Sequence, residues 1–312
     1  MPAPSTVHRD AALENISTAY KVQGLIASEL APGVPVKHET DEYFVYSRDQ
    51  LVLPETIRAA GHESNKQSFS LSTLTYRVDE HALKDFISDR ARANADPILN
   101  LEADATEHLT QLIMLRQEVD LAAVVAASGA WANVTSLTST FAWSANTTLS
   151  NPLLFADSAC AVVIQASGMR PNVAFMDERT YRACRTHVSV VERTRYVGIE
   201  SADEKMLAAM FSVPKVLIGS GVRNTGAEGT ADATTNTFIW TDLAWFGYVE
   251  SAPGPKKPSA IYRFDVRDGG STVKVKRWRE EKLESDAIEV SKLFDHVFPM
   301  SAAGYQIWNP VQ

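Results

Sequence analysis

The chain has 312 residues, of which 45% are hydrophobic and 22% charged, and its formal net charge is −8. This length and composition predict a globular protein with a sizeable core, and the acidic balance argues against nucleic-acid binding through a basic surface. No apolar run is expected to approach the roughly 20 residues that span a bilayer, and the opening residues lack the apolar centre of a signal peptide, which predicts synthesis in the cytoplasm.

The N-terminal part of the chain is expected to form an arm followed by a long hairpin. Residues 1–37 contain one short predicted helix, around Ala11–Tyr20, and a stretch marked by Pro and Gly. Two strand-like runs follow at Glu42–Pro54 and Gln67–Asp79, with polar residues between them. A two-stranded ribbon is only marginally stable in water, so we expect this hairpin to pack against another protein surface.

A helical region is predicted next. Residues 80–96 place Leu83, Phe86 and Ile87 at helix-like spacing, which predicts one helix. Asp96–Pro97 is a start signal for a second helix that extends to about Ala127, roughly 30 residues and about 45 Å long. A heptad coiled coil is the alternative for this long helix, although the stripe lacks a sustained a/d register. The apolar stripe comprises Ile98, Leu101, Ala105, Leu109, Leu112, Val119 and Ala123.

The C-terminal half mixes helices and strands. A helix is predicted over Pro152–Ser167, and then a strand at Val173–Met176 with Asp177 as the cap of a following helix. A small helix precedes the strand at 215–219. Further strands are predicted within residues 236–250, 259–268 and 272–294. The order of elements is that of an α+β chain rather than a regular βαβ alternation.

The glycine-rich stretch at 216–230 could be taken for a phosphate-binding loop. A P-loop would place Lys and then Ser or Thr after its last glycine, but Gly229 is followed by Thr and Ala. A dinucleotide fingerprint needs a third glycine three residues after Gly221, and Asn224 stands there instead. We therefore expect a surface loop between strands, with no nucleotide and no other cofactor.

No catalytic constellation is readable in the sequence. The seven histidines have no metal-ligand spacing, and no Gly-x-Ser-x-Gly elbow occurs, so we expect neither a metal site nor an enzyme. Helix caps and solvated faces explain the carboxylates. Cys160 and Cys184 are expected to be reduced core thiols. One arginine group is interpreted as a solvated or intersubunit helix face, with phosphate contact as the alternative: Arg179, Arg182, Arg185, Arg193 and Arg195.

Four stretches resemble the major capsid proteins of tailed phages, which share the Hong Kong-type shell fold with the encapsulins. Met206–Thr225 resembles the family's small helix, apolar strand and Asn-Thr pair. Residues 236–250 resemble the strand that follows, although the family's usual glycine is Thr241 here. Residues 171–196 are similar to the family's strand and capped-helix segment, and residues 285–311 are similar to its C-terminal segment. Each motif is weak alone, but the four occur in the family's order.

The resemblance implies a subunit in four parts that is completed by copies of itself. The parts are an N-terminal arm (1–37), an extended loop (38–79), a peripheral domain with a long spine helix (80–149 and 259–312) and an axial domain (150–258). In this family the extended loop lies across a neighbouring subunit, and axial domains meet at five-fold and six-fold centres. Predicted intersubunit contacts are Tyr43, Phe44, Tyr46, Arg58, His62, Lys66, Phe69, Gly219, Gly221, Arg223 and Asn224.

The implied function is that of a major capsid protein whose pentamers and hexamers form the icosahedral head around a double-stranded DNA genome. We expect assembly in the host bacterial cytoplasm, location in the virion and no membrane association. The short arm predicts a separate scaffolding protein, and a portal and a decoration protein are further expected partners. DNA is expected to be enclosed without sequence-specific binding. A family-type cross-link through Lys66, at the loop tip, is disfavoured.

Two other classes of function remain as alternatives. An encapsulin would form a shell around a cargo enzyme, but encapsulins usually lack the Asn-Thr segment and close into smaller shells. A soluble enzyme with an unrecognised site is the third possibility.

Overall fold

A computed structural model of the chain describes residues 24–46, 52–66, 72–95, 100–195, 202–226, 235–254, 256–266 and 272–311. The short helix predicted around Ala11–Tyr20 and the start signal at Asp96–Pro97 lie outside these residues. The helices within them are α1 Ala27–Leu30, α2 Asp89–Asn94, α3 Leu101–Val125, α4 Pro152–Ser167, α5 Glu178–Thr186, α6 Val188–Arg195 and α7 Glu204–Met210.

Within the part of the chain that the structure describes, the strands fall into two five-stranded sheets and two short hairpins. They are β1 Gly33–Val36, β2 Thr40–Val45, β3 Ser72–Arg77, β4 Asp79–Ser88, β5 Asn133–Ser136, β6 Val173–Asp177, β7 Lys215–Gly219, β8 Val222–Asn224, β9 Asn236–Phe238, β10 Leu243–Gly247, β11 Tyr262–Val266, β12 Lys274–Glu280, β13 Ser285–Val297 and β14 Gly304–Trp308. This mixture confirms the α+β class.

Sheet 1 is built around β13, the longest strand. β4 pairs antiparallel with one edge of β13, and β12 and then β11 pair antiparallel with the other; β1 adds in parallel to β11. Ile288 and Val290 of β13 are buried against Leu109 and Ile113 of α3. The apolar positions of α3 are therefore explained by packing on a sheet, without a coiled coil.

Sheet 2 has the strand order β5-β14-β10-β6-β7 and is covered on both faces. Every residue of β6 and β10 is buried, as expected for strands sandwiched between layers. Alternate residues contribute to two cores: Phe175 and Trp245 pack with the end of α3, and Ala174 and Phe246 pack with α4 and α7. Sheet 2 thus joins the C-terminal strand β14 to strands of the predicted axial domain, whose boundaries remain a prediction.

One predicted helix is wrong in its first half. Residues 79–88 form β4, and only the segment from Asp89 is helical, with Ser88 Oγ accepting a hydrogen bond from the Ala91 amide. The spacing of Leu83, Phe86 and Ile87 looked helical, but ten register pairs with β13 decide the strand. Long-range pairing overrides local periodicity here.

The long helix is confirmed but begins later than predicted. It has 25 residues, about 37 Å, and starts at Leu101 with Asn100 as its N-cap. The helix at Pro152–Ser167 has the predicted bounds, begins with Pro152 at its first turn and ends at Gly168, whose φ is +74°. The Cys184 thiol is buried and Cys160 partly buried, and both are free.

The expectation about membrane-spanning length needs a correction. By length and composition alone, the segment Thr148–Ser167 is apolar enough to cross a membrane. In the structure, Leu153, Ala156, Ala159 and Val163 lie in the core beside sheet 2. The apolar composition of this segment is therefore explained in part by packing inside the protein.

A buried carboxylate joins three distant parts of the chain. Glu118 of α3 is fully buried, and its oxygens accept hydrogen bonds from the amides of Ile26 (3.0 and 3.1 Å) and Ala27 (2.7 Å) and from Trp240 Nε1 (2.6 Å). Burial raises the pKa of the Glu118 carboxyl, and the hydrogen bonds from these groups oppose that rise. Glu118 thereby links α1, the spine helix and the segment leading into β10.

Three arginines and three carboxylates tie the end of sheet 1 to the starts of α2 and α3. Asp286 of β13 lies 2.6 Å from Arg92, 3.3 Å from Arg277 and 3.5 Å from Arg279. The remaining contacts join Arg92 and Arg277 to Glu102, and Arg279 to Asp89. Hydrogen bonding from Arg92 is the main reason that the pKa of Asp286 is lowered.

Replacing Glu118 should destabilise the chain. We expect Glu118→Gln to lower the free energy of unfolding by about 1–3 kcal/mol, because the amide NH₂ would face buried N–H donors. Chemical denaturation followed by circular dichroism measures the change. Glu107→Gln, at an exposed position of the same helix, is the matched control and should change stability by less than about 0.5 kcal/mol. Equal effects of the two substitutions would contradict the role of Glu118.

The arginine–carboxylate cluster predicts a pH dependence. The folded-state pKa of Asp286 is lowered. The stability that its charged form contributes is therefore fully present above the unfolded-state pKa of about 4, and it is lost as the pH falls through the folded-state pKa. Asp286→Asn should reduce stability at pH 7 and flatten the loss of stability below about pH 4. Thermal melts from pH 7 to 3 test this, with exposed Glu63→Gln as the control. If the stability of Asp286→Asn falls with decreasing pH as steeply as that of the wild type, the prediction is wrong.

Candidate functional site

The loop between β2 and β3 is the most exposed apolar segment described in the chain. All fifteen described residues of this loop, 52–66, are exposed, including Leu53 (87%) and Ile57 (84%). The loop closes on itself, since Asn65 Nδ2 donates to the Glu55 carbonyl at 2.9 Å and Arg58 Nε donates to the His62 carbonyl at 2.6 Å. A long loop that presents large apolar side chains to solvent is typical of a contact surface.

The base of the hairpin is fixed to sheet 1. Tyr43 and Tyr76 pack edge-on against Phe264, with ring centroids 5.7 and 4.8 Å apart from it. The Tyr46 amide donates to the Pro299 carbonyl at 2.8 Å. The six register pairs between β2 and β3 confirm the predicted hairpin, although β2 ends at Val45 rather than near Pro54 and β3 ends at Arg77. The hairpin is thus held at its base while residues 52–66 extend from it.

The structure separates the predicted contact residues of the hairpin into two groups. Arg58, His62 and Lys66 are exposed in the loop, with Arg58 Nε bonded to the His62 carbonyl. Tyr43 and Tyr46 are partly buried against their own chain, and Phe44 is also partly buried. Phe69 lies outside the described residues. Their contacts with a neighbouring subunit remain predictions.

The glycine-rich segment is only partly the surface loop that was predicted. Gly219 ends β7 and is buried, and a Cβ on it would lie 2.6 Å from Trp240 Cδ1 and 2.9 Å from Phe175 Cε2. Gly221 is buried beside Ile239. Close packing, rather than a left-handed turn, therefore requires glycine at 219. The contacts of Gly219 and Gly221 with a neighbouring subunit remain predictions.

The next residues do reach the surface. Arg223 and Asn224 are exposed on β8, which forms a short hairpin with β9. Asn224 Oδ1 accepts a hydrogen bond from the Gly226 amide at 2.7 Å. Residues 227–230, the rest of the stretch, lie outside the described residues.

The buried polar groups form structural links. Asp177 caps α5, accepting from the amides of Arg179 and Thr180, and also accepts from the Leu243 amide on the neighbouring strand. Burial raises the pKa of Asp177. Among the described residues, no group of three His, Cys, Asp or Glu side chains is placed to hold a metal ion.

Sequence reasoning missed the apolar residues of the loop. The sequence places Val52 and Leu53 at the end of a predicted strand and gives Ile57 no role. Apolar residues beside Pro54 in a polar segment are nevertheless a signal for an exposed contact. Glu118 gave no signal, because an acidic residue on a long helix is ordinarily solvated.

No protein-family model matches the chain. Two curated phage proteins are similar to it in sequence, and both are named "Major capsid protein". That of Pseudomonas phage JBD67 is 31% identical over 205 residues, 65% of this chain and 63% of the relative, so the match spans less than two thirds of that protein. That of Burkholderia phage BcepMu is 25% identical over 308 residues, 96% of this chain and 95% of the relative.

Solved structures share the fold along nearly the whole chain. A phage-related protein from Bordetella bronchiseptica RB50 superposes with a TM-score of 0.75 at 21% identity, covering 96% of this chain and 97% of the other. The capsid of cyanophage P-SCSP1u gives 0.58 at 10% identity, with 89% and 86% covered. The chain has the Hong Kong-type capsid fold. The same fold occurs in the SrpI encapsulin of Synechococcus elongatus PCC 7942, with a TM-score of 0.52, 9% identity and 97% of each chain covered.

Limited proteolysis tests the exposure of the loop in this capsid-fold chain. Trypsin should cut the isolated chain after Arg58 and Lys66 at least about ten times faster than after Arg182, which is exposed but lies in α5. Mass spectrometry of the timed digest identifies the sites. The double variant Arg58→Gln/Lys66→Gln should remove the early fragments. Early cleavage at Arg182 with residues 52–66 protected would show that the loop is covered.

Proposed function

We propose that this chain is the major capsid protein of a tailed phage, and that its copies form the pentamers and hexamers of an icosahedral head around double-stranded DNA. The observation that carries the proposal is the match to a phage major capsid protein along 96% of the chain. The exposed loop at 52–66 supports it, because this loop needs a surface that its own described residues do not provide.

The mechanism is association rather than catalysis. Contacts between two different faces of a subunit generate rings when the rotation closes, and a small variation in that rotation lets one chain form both pentamers and hexamers. Each contact can be modest because every copy engages several neighbours. The loop residues Arg58, His62 and Lys66 contact the adjacent subunit, and Arg223 and Asn224 contact neighbours around the axis.

The proposed partners follow from this role. A separate scaffolding protein guides assembly, a portal occupies one vertex and a decoration protein binds the outside. The subunit is assembled in the host cytoplasm and resides in the virion, and it has no enzymatic activity. The net charge of −8 limits tight binding of phosphates to the shell lining, which suits a container for DNA.

An encapsulin shell is the second candidate. The similarity to the SrpI encapsulin along 97% of both chains supports it at the level of fold. The phage assignment has more support, because both curated sequence relatives are phage capsid proteins.

Removing the loop tests the proposed function. Deletion of Thr56–Lys66 should leave a soluble, folded subunit whose yield of particles falls at least about tenfold, because the hydrogen bonds of these residues within the described chain stay inside the loop and their other proposed contacts are with neighbours. Circular dichroism checks the fold, and negative-stain microscopy with analytical ultracentrifugation measures assembly. Leu53→Ser/Ile57→Ser is a milder variant that keeps the loop length and should also reduce assembly.

Three outcomes would count against the proposal. Normal shells from the deletion would refute the role of the loop. A wild-type chain that stays monomeric at every concentration would refute the capsid function. Small uniform shells filled with a cargo enzyme would favour the encapsulin.

A further inference from the structure

A second apolar surface lies on the body of the subunit, away from the hairpin. It consists of Leu149, Leu154, Val188 and Val191, which are 61%, 63%, 38% and 41% exposed, and we call it the α4–α6 patch. Ser150 Oγ and His187 Nε2 are 3.0 Å apart, and each patch residue lies within four positions of one of these two residues. The hydrogen bond therefore places the two segments that carry these apolar pairs side by side.

The backbone beneath the patch is fixed. Asn146 has a left-handed backbone, with φ of +51°, and its side-chain oxygen accepts from the Val188 amide at 2.7 Å. His187 is 1% exposed and is bonded through both ring nitrogens, to Ser150 and to Ser189 at 2.8 Å. Burial lowers the pKa of His187, so the imidazole is neutral at pH 7. The patch is thus held in place before any partner binds, which lowers the entropic cost of an interface.

Four arginines lie close to Val188 and Val191 along the chain, and we call them the arginine rim: Arg182, Arg185, Arg193 and Arg195. Arg185, Arg193 and Arg195 have no carboxylate partner within the described part of the chain, and Arg182 pairs only with Glu178 of its own helix at 2.7 Å. Val188, Val191 and Arg195 follow the i, i+3, i+7 spacing that places residues on one face of α6. Beside the rim, Tyr181, Arg182 and Arg185 help to line a surface depression of about 360 Å³.

The charge of this region is opposite to that of the rest of the chain. Residues 178–195 hold five arginines and two glutamates, a net +3 with histidine neutral, so the remaining residues of the −8 chain carry −11. A second copy is therefore acidic outside this region, and its net charge attracts the arginine rim. An apolar centre bordered by arginine is also the usual composition of a protein–protein interface. Nucleic acid fits less well, because aliphatic side chains offer phosphate oxygens neither a hydrogen bond nor a charge.

We propose that the α4–α6 patch and the arginine rim dock against an acidic face of a neighbouring copy within the same ring of subunits. This proposal rests on the capsid function proposed above and assigns a contact separate from the extended loop. It gives the arginine group of α5 and α6 a role between subunits. The two pairs of apolar residues supply the desolvated centre, and the arginines fix the orientation of the partner.

Charge and polarity substitutions in the full-length chain test the proposal. Leu154→Asp/Val191→Asp should reduce the fraction of chains in rings and shells at least about tenfold at equal concentration. Arg182→Glu/Arg185→Glu should do the same, most strongly at low salt. Mass photometry and negative-stain microscopy measure assembly, and circular dichroism checks folding. Leu283→Asp, at a 56% exposed leucine on the turn Glu281–Leu283, is the control and should assemble normally.

The outcomes separate this inference from the proposed function. If the wild type assembles and the patch variants assemble equally well, the inference is wrong and the capsid function stands. An equal loss in Leu283→Asp also overturns it, because the effect would not belong to the patch. If only the arginine variant changes, losing affinity for a short DNA duplex while assembling normally, the rim faces nucleic acid. A wild type that is monomeric at all concentrations overturns both proposals.

Discussion

The hydrogen bonds accepted by the buried Glu118 carboxylate are the constraint on which the arrangement of the subunit depends. They join the N-terminal residues Ile26 and Ala27, the spine helix and Trp240, which are more than ninety positions apart along the chain. Glu118 has no cationic partner among the residues that the structure describes. Such a buried carboxylate is costly unless its oxygens are satisfied, and here oriented N–H donors satisfy them. The same link places Trp240 over Gly219, so α3, α1 and sheet 2 are held as one packed body.

Two exposed apolar surfaces are attached to this rigid body. The hairpin is fixed through Tyr43 and Tyr76, yet every described residue from 52 to 66 is exposed. The α4–α6 patch is likewise held from below by His187 and Asn146 while its aliphatic groups face solvent. Both surfaces combine a fixed base with exposed apolar groups. This combination suits a protein that is completed by its neighbours, because little order has to be gained on binding.

The arginine–carboxylate cluster and Glu118 respond to acid in opposite directions. Arg92 lowers the pKa of Asp286, so the cluster loses its contribution to stability as the pH falls. Burial raises the pKa of Glu118, so ionisation of this carboxyl lowers the stability of the folded chain as the pH rises. The cluster ties the starts of α2 and α3 to sheet 1, and Glu118 ties α3 to α1 and sheet 2. Acid should therefore loosen the sheet 1 end of the spine helix first.

The sequence alone determined the elements whose signals are local. The helix α4 has the bounds that the sequence predicts, Asp177 caps α5, and the apolar run at 215–219 forms β7. The ordered motifs identified the capsid fold. Only the tertiary structure decided that residues 79–88 are a strand, because ten pairs with β13 outweigh their helix-like spacing. It also decided that Gly219 packs under Trp240 and that Glu118 is buried. These features depend on contacts between residues that are distant along the chain, and a local sequence pattern does not show which distant residues will be in contact.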